Sequence, residues 1–253
     1  MPNRTPSVTV VIPARFGSSR FPGKPLARLL GKPLIQHVYE RVQAAPGIDR
    51  VLVATDDPRI SETVQGFGGD VVLTRDPFRT GTDRVAGVAR QLEGDVFMNL
   101  QGDEIALHPG LFTDLVGPFL ASGAAMGTLK RRLTSPEELH NPGVVKVVTD
   151  HHGEALYFSR APIPHVRDGA AGEPVGGLHY VHLGLYIYTR DTLLQIADLP
   201  TGVLEEAEKL EQLRAMEQGM RIRVWETSHG SLRIDTPEDL DAAAAALQKL
   251  VPC

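Results

Sequence analysis

The chain has 253 residues, with 26 Lys plus Arg against 31 Asp plus Glu and a formal net charge of −5. That length fits one large α/β domain or one domain with a subdomain, and the acidic balance argues against general attraction to nucleic acid or anionic membrane, so phosphate binding must be local. Its single cysteine, Cys253, excludes an intramolecular disulfide and offers no zinc motif, and neither the opening MPNRTPSVTVVIPAR nor any later stretch has the apolar run of a signal peptide or membrane span, so the expected location is the cytoplasm.

Residues 8–13 read as a buried strand running into a Gly/Ser/Arg/Pro-rich loop, 14–25. A helix follows at 33–45, with Leu34, Ile35, Val38 and Val42 on one face. The pattern then predicts a strand at 51–55, a helix at 58–67, a strand at 70–73, a helix at 82–92 and a strand at 96–100. Strands alternating with single helices imply right-handed crossovers and a mostly parallel sheet covered on both faces. Beyond a helix at 110–122 the rhythm changes to strand-like runs at 126–132, 144–148, 155–159 and 182–188, a mixed extension of the sheet. The Gly/Pro/Ala-rich 169–177 reads as a mobile loop. Helices at 204–218 and 237–250 flank a strand at 221–225, with Thr236 as N-cap and Pro237 in the first helical position. Leu204, Ala207, Leu210, Leu213 and Met216 are the expected core face of the first of these two helices.

The loop Ala14 to Pro25 has the composition of a triphosphate cradle. Gly17 and Gly23 permit close backbone approach, the serines and amides donate hydrogen bonds, and Arg15, Arg20 and Lys24 supply positive charge. It carries neither a GK[ST] nor a GxGxxG pattern. QGDE at 101–104 stands at the carboxyl end of the fourth strand, where Asp103 could hold Mg²⁺ or merely form a turn. Asp235 is a second candidate, although an Asp before a helix also serves the helix terminus electrostatically. Thr80, Gly81 and Thr82 open a helix and could read a base or phosphate, or simply cap it. Taken one by one, His179, His182, Tyr186, Glu211 and Gln212 read as structural or solvated.

In order along the chain stand ARFGSSRFPGKPL, GKPLIQHV, ATDD, TGTDR, NLQGDE, VKVV, ALYFSRAPIP, HLGLYIY, EKLEQLRAMEQG and IDTPEDL. Together, over 8–240, they resemble the 3-deoxy-manno-octulosonate (KDO) cytidylyltransferases, the CMP-KDO synthetases of Gram-negative lipopolysaccharide assembly. The resemblance implies a Rossmann-like, mostly parallel α/β sheet with helices on both faces and a smaller mixed-sheet dimerisation region. It implies one domain over 1–253, with 126–190 as the sugar-binding and dimerisation subregion of a homodimer. It further implies transfer of CMP from CTP to the anomeric hydroxyl of KDO with Mg²⁺ as cofactor. Ala14, Arg15, Ser19, Lys24 and Asp103 would bind nucleotide, with Thr80, Gly81 and Thr82 near the cytosine. Asp103 and Asp235 would hold the metal, and Arg15 and Lys24 would join them in catalysis. Gln101, Arg160, His182, Tyr186, Glu211 and Gln212 would contact the sugar, so loss of Glu211 or His182 is expected to spare CTP binding. Two departures touch the metal site: Ile105 follows QGDE where relatives commonly have Pro, and SHGSLRI precedes Asp235 where many have Gly-Val. The alternatives are the same chemistry on 8-amino-KDO, a synthetase for sialic acid or a sugar phosphate, and a CTP-sensing module without turnover.

Overall fold

The computed structural model describes residues 5–17, 21–74, 77–105, 107–167, 177–234 and 236–250. In chain order the first elements are β1 (Val8–Ala14), β2 (Arg28–Leu29), β3 (Lys32–Pro33), α1 (Leu34–Gln43), β4 (Arg50–Thr55), α2 (Pro58–Gly66), β5 (Val71–Leu73), α3 (Gly81–Gln91), β6 (Val96–Leu100) and β7 (Glu104–Ile105). Then come α4 (Gly110–Ser122), β8 (Met126–Arg132), α5 (Pro136–His140), β9 (Lys146–Thr149), β10 (Ala155–Ser159), β11 (Tyr180–Thr189) and α6 (Arg190–Asp198). The chain closes with α7 (Val203–Glu208), α8 (Gln212–Glu217), β12 (Arg223–Glu226), β13 (Leu232–Arg233) and α9 (Asp239–Leu250).

A nine-stranded sheet runs β10, β9, β11, β6, β1, β4, β5, with β8 beside β11 and β12 beside β8. Its centre is parallel, as the alternation of strands and helices requires: β1 pairs with β4 and β6, and β4 with β5. Of the later strands, β11 lies antiparallel against both β6 and β8, β9 and β10 pair antiparallel, and β12 joins β8 in parallel. Because side chains alternate across a strand, the sheet separates two cores. Val8, Val10 and Ile12 pack with residues of α1, α2 and α4 such as Val38, Ile60 and Phe112. Val11, Leu52 and Ala54 pack with Val85 and Val88 of α3 and Leu193 and Ile196 of α6. Each fully buried aliphatic side chain contributes about 1.5–3 kcal/mol, so burial on both faces fixes the register of the central strands.

Three sequence expectations need correction. The helix expected over 204–218 is two, α7 and α8, because Lys209 turns left-handed at φ 53°. The break is held by Arg160, whose Nε donates to the Glu208 carbonyl at 2.7 Å and whose Nη2 donates to the Lys209 carbonyl at 3.3 Å, capping the end of α7. It also resets the helical phase, so Leu204 and Ala207 are exposed. Glu205 is buried instead, paired with Arg214 at 2.6 Å, while Arg214 also meets Asp83 at 3.1 Å. Pro237 does not begin the last helix: the Asp239 carboxylate accepts from Thr236 N–H at 2.8 Å, closing a turn before α9. The short elements β2, β3, β7, β13 and α5, together with α6, are absent from the sequence pattern, most of them being too short for periodicity to register. The loop expected at 169–177 lies, apart from Gly177, outside the described residues.

Candidate active site

A cavity of about 490 Å³ opens at the carboxyl ends of β1 and β6 and extends over β11 to α8. Such strand ends collect the loops of a parallel sheet, which is where open α/β sheets take ligands. Of the residues singled out from sequence, Ala14, Arg15, Thr80, Gly81, Thr82, Gln101, Arg160, His182, Tyr186, Glu211 and Gln212 line it. Lys24 and Asp103 do not. They lie beside it, behind the lining residues Glu104 and Arg233. Ser19 and Asp235 lie outside the described residues.

The turn after β1 is shaped by Gly23, at φ 70°, whose N–H donates to the Phe16 carbonyl at 2.9 Å. A Cβ there would strain the backbone and sit 3.0 Å from the Phe16 ring, so glycine is required. Arg59 of α2 covers that ring at 3.4 Å. Lys24 follows, and its ammonium reaches across to the Asp103 carboxylate at 2.7 Å and the Ile234 carbonyl at 2.8 Å. Arg233 Nε approaches the same oxygen, Asp103 Oδ2, at 3.3 Å. Asp103 Oδ1 is buried with no hydrogen-bond partner among the described residues. These groups meet because β7 and β13 pair, Arg233 opposite Glu104, after which Ile234 N–H donates to the Asp103 carbonyl at 3.1 Å. Neither Ile105 nor SHGSLRI prevents that ladder.

At the start of α3 the Thr80 side chain accepts from Asp83 N–H, an ordinary N-cap. Thr82 offers its N–H at 3.2 Å and its hydroxyl at 2.7 Å to the Glu211 carboxylate. Asn99, buried in β6, donates to the Thr82 hydroxyl at 3.2 Å and accepts from Gln101 at 3.2 Å. A continuous chain of hydrogen bonds thus runs from Gln101 through Asn99 and Thr82 to Glu211, joining residues assigned to the nucleotide and to the sugar. Sequence reasoning passed over Asn99, whose signal is a polar residue inside the apolar strand VFMNL.

The far wall is built on β11, where the register against β8 shifts between Leu183 and Tyr186. Such bulges re-aim side chains. The Thr128 hydroxyl fills this one, donating to the Leu185 carbonyl at 2.8 Å, with Leu183 O also at 3.1 Å. With that proton committed, His182 Nε2, 3.1 Å away, is the donor to Thr128 and Nδ1 is left as an acceptor. Burial beside Phe158 and Tyr186 pushes the imidazole pKa down to about 3, so His182 is neutral at physiological pH. It can orient a hydroxyl but cannot serve as a cation for a carboxylate. Burial pushes the Tyr186 phenol well above its usual value, which keeps it protonated. Tyr186 OH and Gln212 Nε2 are both buried without partners among the described residues. Buried orphan donors are costly unless something completes them.

Charge distinguishes this cavity from the acidic chain around it. Arg15, Arg79, Arg84, Arg131, Arg160, Lys209 and Arg233 line it, while Glu104 and Glu211 are the lining carboxylates among the described residues. Arg84 is paired with Asp56 at 2.9 Å, and Arg131 with Glu138, whose carboxyl it holds down at about 2. The Arg160 guanidinium instead spends three N–H groups on the carbonyls of Pro142, Glu208 and Lys209. Two of its five donors remain.

A mostly parallel sheet with a cationic cavity at its strand ends suits a nucleotide-binding enzyme, and the family model described as cytidylyltransferase, which matches residues 9–222, makes the class a nucleotidyltransferase. Over 96% of this chain and 100% of its own length, the 3-deoxy-manno-octulosonate cytidylyltransferase of Syntrophotalea carbinolica is 53% identical. The enzyme of the same name from Anaeromyxobacter sp. is 54% identical over 95% of this chain and 96% of its own length. A solved CMP:2-keto-3-deoxy-manno-octonic acid synthetase complexed with CTP superposes with a TM-score of 0.89 at 41% identity, covering 97% of this chain and all of its own. The chain belongs to the 3-deoxy-manno-octulosonate cytidylyltransferase family.

Proposed function

We infer that this protein transfers CMP from CTP to KDO, releasing pyrophosphate, a step that serves lipopolysaccharide synthesis. Family membership identifies the substrates, and the observation that carries the chemistry is the cavity's excess of cations over carboxylates in a chain of net charge −5. One substrate is a triphosphate and the other a carboxylate, and both are held by placed charge. The anomeric oxygen of KDO forms a bond to the α-phosphorus while the bond to the pyrophosphate oxygen breaks, and the hydroxyl proton leaves to water. Such transfers depend on positioning and charge neutralisation more than on covalent catalysis.

Arg15, directly after β1, would meet the phosphates, with Lys24 beside the cavity on Asp103. Thr80, Gly81 and Thr82 lie where the base binds. On the sugar side, the two remaining donors of Arg160 fit the carboxylate. His182 Nδ1, the Tyr186 hydroxyl and the Gln212 amide suit the sugar hydroxyls. Mg²⁺ fits the donors present: a buried, unpartnered oxygen on Asp103 is what a hard cation needs, and magnesium takes one or two protein carboxylates, with phosphates and water completing its shell. Asp103 and Asp235 would hold it, and when bound it neutralises phosphate charge. The protein acts in the cytoplasm, and no described helix is long and apolar enough to cross a membrane. It forms a homodimer through the 126–190 subregion, where Leu156 and Leu178 are exposed at 60% and 49%.

The test is direct. Purified protein supplied with Mg²⁺, CTP and KDO releases pyrophosphate and makes a CMP-sugar, EDTA abolishes this, and ATP and GTP are poor replacements. Turnover undiminished by EDTA would remove the metal, and equal use of the three triphosphates would remove the reading of Thr80 to Thr82. Sedimentation at 27.5 kDa rather than twice that mass would remove the dimer.

A further inference from the structure

Lys146, in β9, is among the largest fully buried side chains of the protein. Its ammonium donates to three backbone carbonyls, those of Asn141 at 3.1 Å, Val144 at 2.7 Å and Arg160 at 2.5 Å. None of the ion pairs among the described residues includes it; Glu208 lies near enough to act on its charge, but the Glu208 carboxylate is bonded to Ser159 Oγ at 2.6 Å and Arg160 N–H at 2.9 Å. Burying an ammonium costs several kcal/mol, and an apolar side chain of similar volume is the cheaper way to fill a core. A lysine here therefore calls for a role that a methionine could not fill.

The carbonyls it gathers indicate that role. Asn141 precedes, and Val144 lies within, the segment whose residues Gly143, Val144 and Val145 line the cavity, and Arg160 lines it too. Arg160 returns the contact by donating Nη1 to Pro142 O at 2.8 Å in the same loop, and it caps α7 through Glu208 O and Lys209 O. Lys146 and Arg160 thus brace each other through backbone carbonyls, with the buried ammonium as the fixed point. We propose that Lys146 is a positioning residue for the sugar half of the site, holding the 143–145 wall and the Arg160 backbone so that the guanidinium keeps its remaining donors on the sugar carboxylate. This rests on the reading that the Arg160 and His182 wall receives an acidic sugar.

The experiment is steady-state kinetics on wild type, Lys146→Met and Lys146→Gln, with each substrate varied in turn and melting followed in parallel. The methionine keeps the volume and loses all three donors, whereas the glutamine keeps an amide. The expected result is a KM for KDO raised about tenfold or more in Lys146→Met, with KM for CTP within about twofold of wild type and Lys146→Gln in between. An unchanged KM for KDO in a folded Lys146→Met, or equal rises for both substrates, overturns the proposal. Failure of both variants to fold assigns Lys146 to the core and overturns it as well. A wild-type protein that makes no CMP-sugar from CTP and KDO sinks both the inference and the reading beneath it, whereas variants matching an active wild type sink the inference alone.

Discussion

The two halves of the cavity are built differently. On the side we propose for the nucleotide, side chains stand on short segments after the parallel strand β1 and at the start of α3, so each contact comes from a contiguous motif. On the side we propose for the sugar, they come from the middle of the antiparallel strand β11, from the ends of β6 and β10 and from the break between α7 and α8. That wall is braced by buried Thr128 in a bulge and buried Lys146 under a loop, together with Arg160 on a helix end. The half proposed for the nucleotide depends on loop placement, and the half proposed for the sugar depends on satisfied burial. The two meet at Glu211 and Thr82.

The sharpest way to break the nucleotide half is Asp103→Asn, which keeps the shape and removes one charge. The expected outcome is a fall in kcat of about 10²-fold or more with an unchanged melting temperature, on the scale of removing one electrostatic stabiliser. A kcat within a few-fold of wild type would reduce Asp103 to a structural partner of Lys24.

Next in size is the junction. Glu211→Gln removes the charge that accepts both donors of Thr82. The hydrogen-bond chain leads us to expect KM to rise about tenfold for CTP as well as for KDO, in contrast to the sequence expectation that CTP binding is spared. Movement of the KDO constant alone, with isothermal titration showing native CTP affinity, would restore two separate half-sites.

The sugar half also predicts a pH effect on stability. The His182 pKa falls from 6.5 to about 3 on folding, so below 6.5 the unfolded chain takes up a proton that the folded protein refuses. Its stabilising contribution is present above about pH 6.5 and is lost as pH falls toward 3. Urea unfolding of His182→Gln should therefore show a shallower acid-side decline, by up to about one proton's worth of slope. Parallel curves for the two proteins would show that His182 titrates normally. The smallest effect is expected at Arg59→Ala, which uncovers the Phe16 ring under the turn after β1. A change of about twofold in KM for CTP is the scale of an exposed cation–π contact, and a tenfold change would show that the turn is held from outside far more firmly than its own Gly23 holds it.

Much of this was legible in the residues, and the legible parts share a cause. The parallel core follows from β-branched runs alternating with amphipathic helices, a local signal confirmed at β1, β4, β5 and β6. The family motifs drew attention to Arg15, Thr82, Arg160, His182 and Glu211, which the fold then brings to one cavity. The parts that were not legible depend on contacts between distant positions. Gln212, taken alone, reads as structural or solvated, yet it is buried, as is Glu205 outside the expected core face, because Arg160, far earlier in the chain, caps α7 and shifts the helical phase on either side of the break.

By itself, then, the sequence determined the alternation of elements, the glycine in the turn after β1 and the family of the chain, because periodicity, φ preference and motif order are properties of neighbours along the chain. Only the tertiary structure decided the rest. Pairing β7 with β13 carries Ile234 to Asp103, the Thr128 hydroxyl settles which nitrogen of His182 donates, and burial of Lys146 gathers three carbonyls into one wall. Each of these is fixed by where a polar group removed from water finds its partner, and partners that meet in space can stand anywhere along the chain.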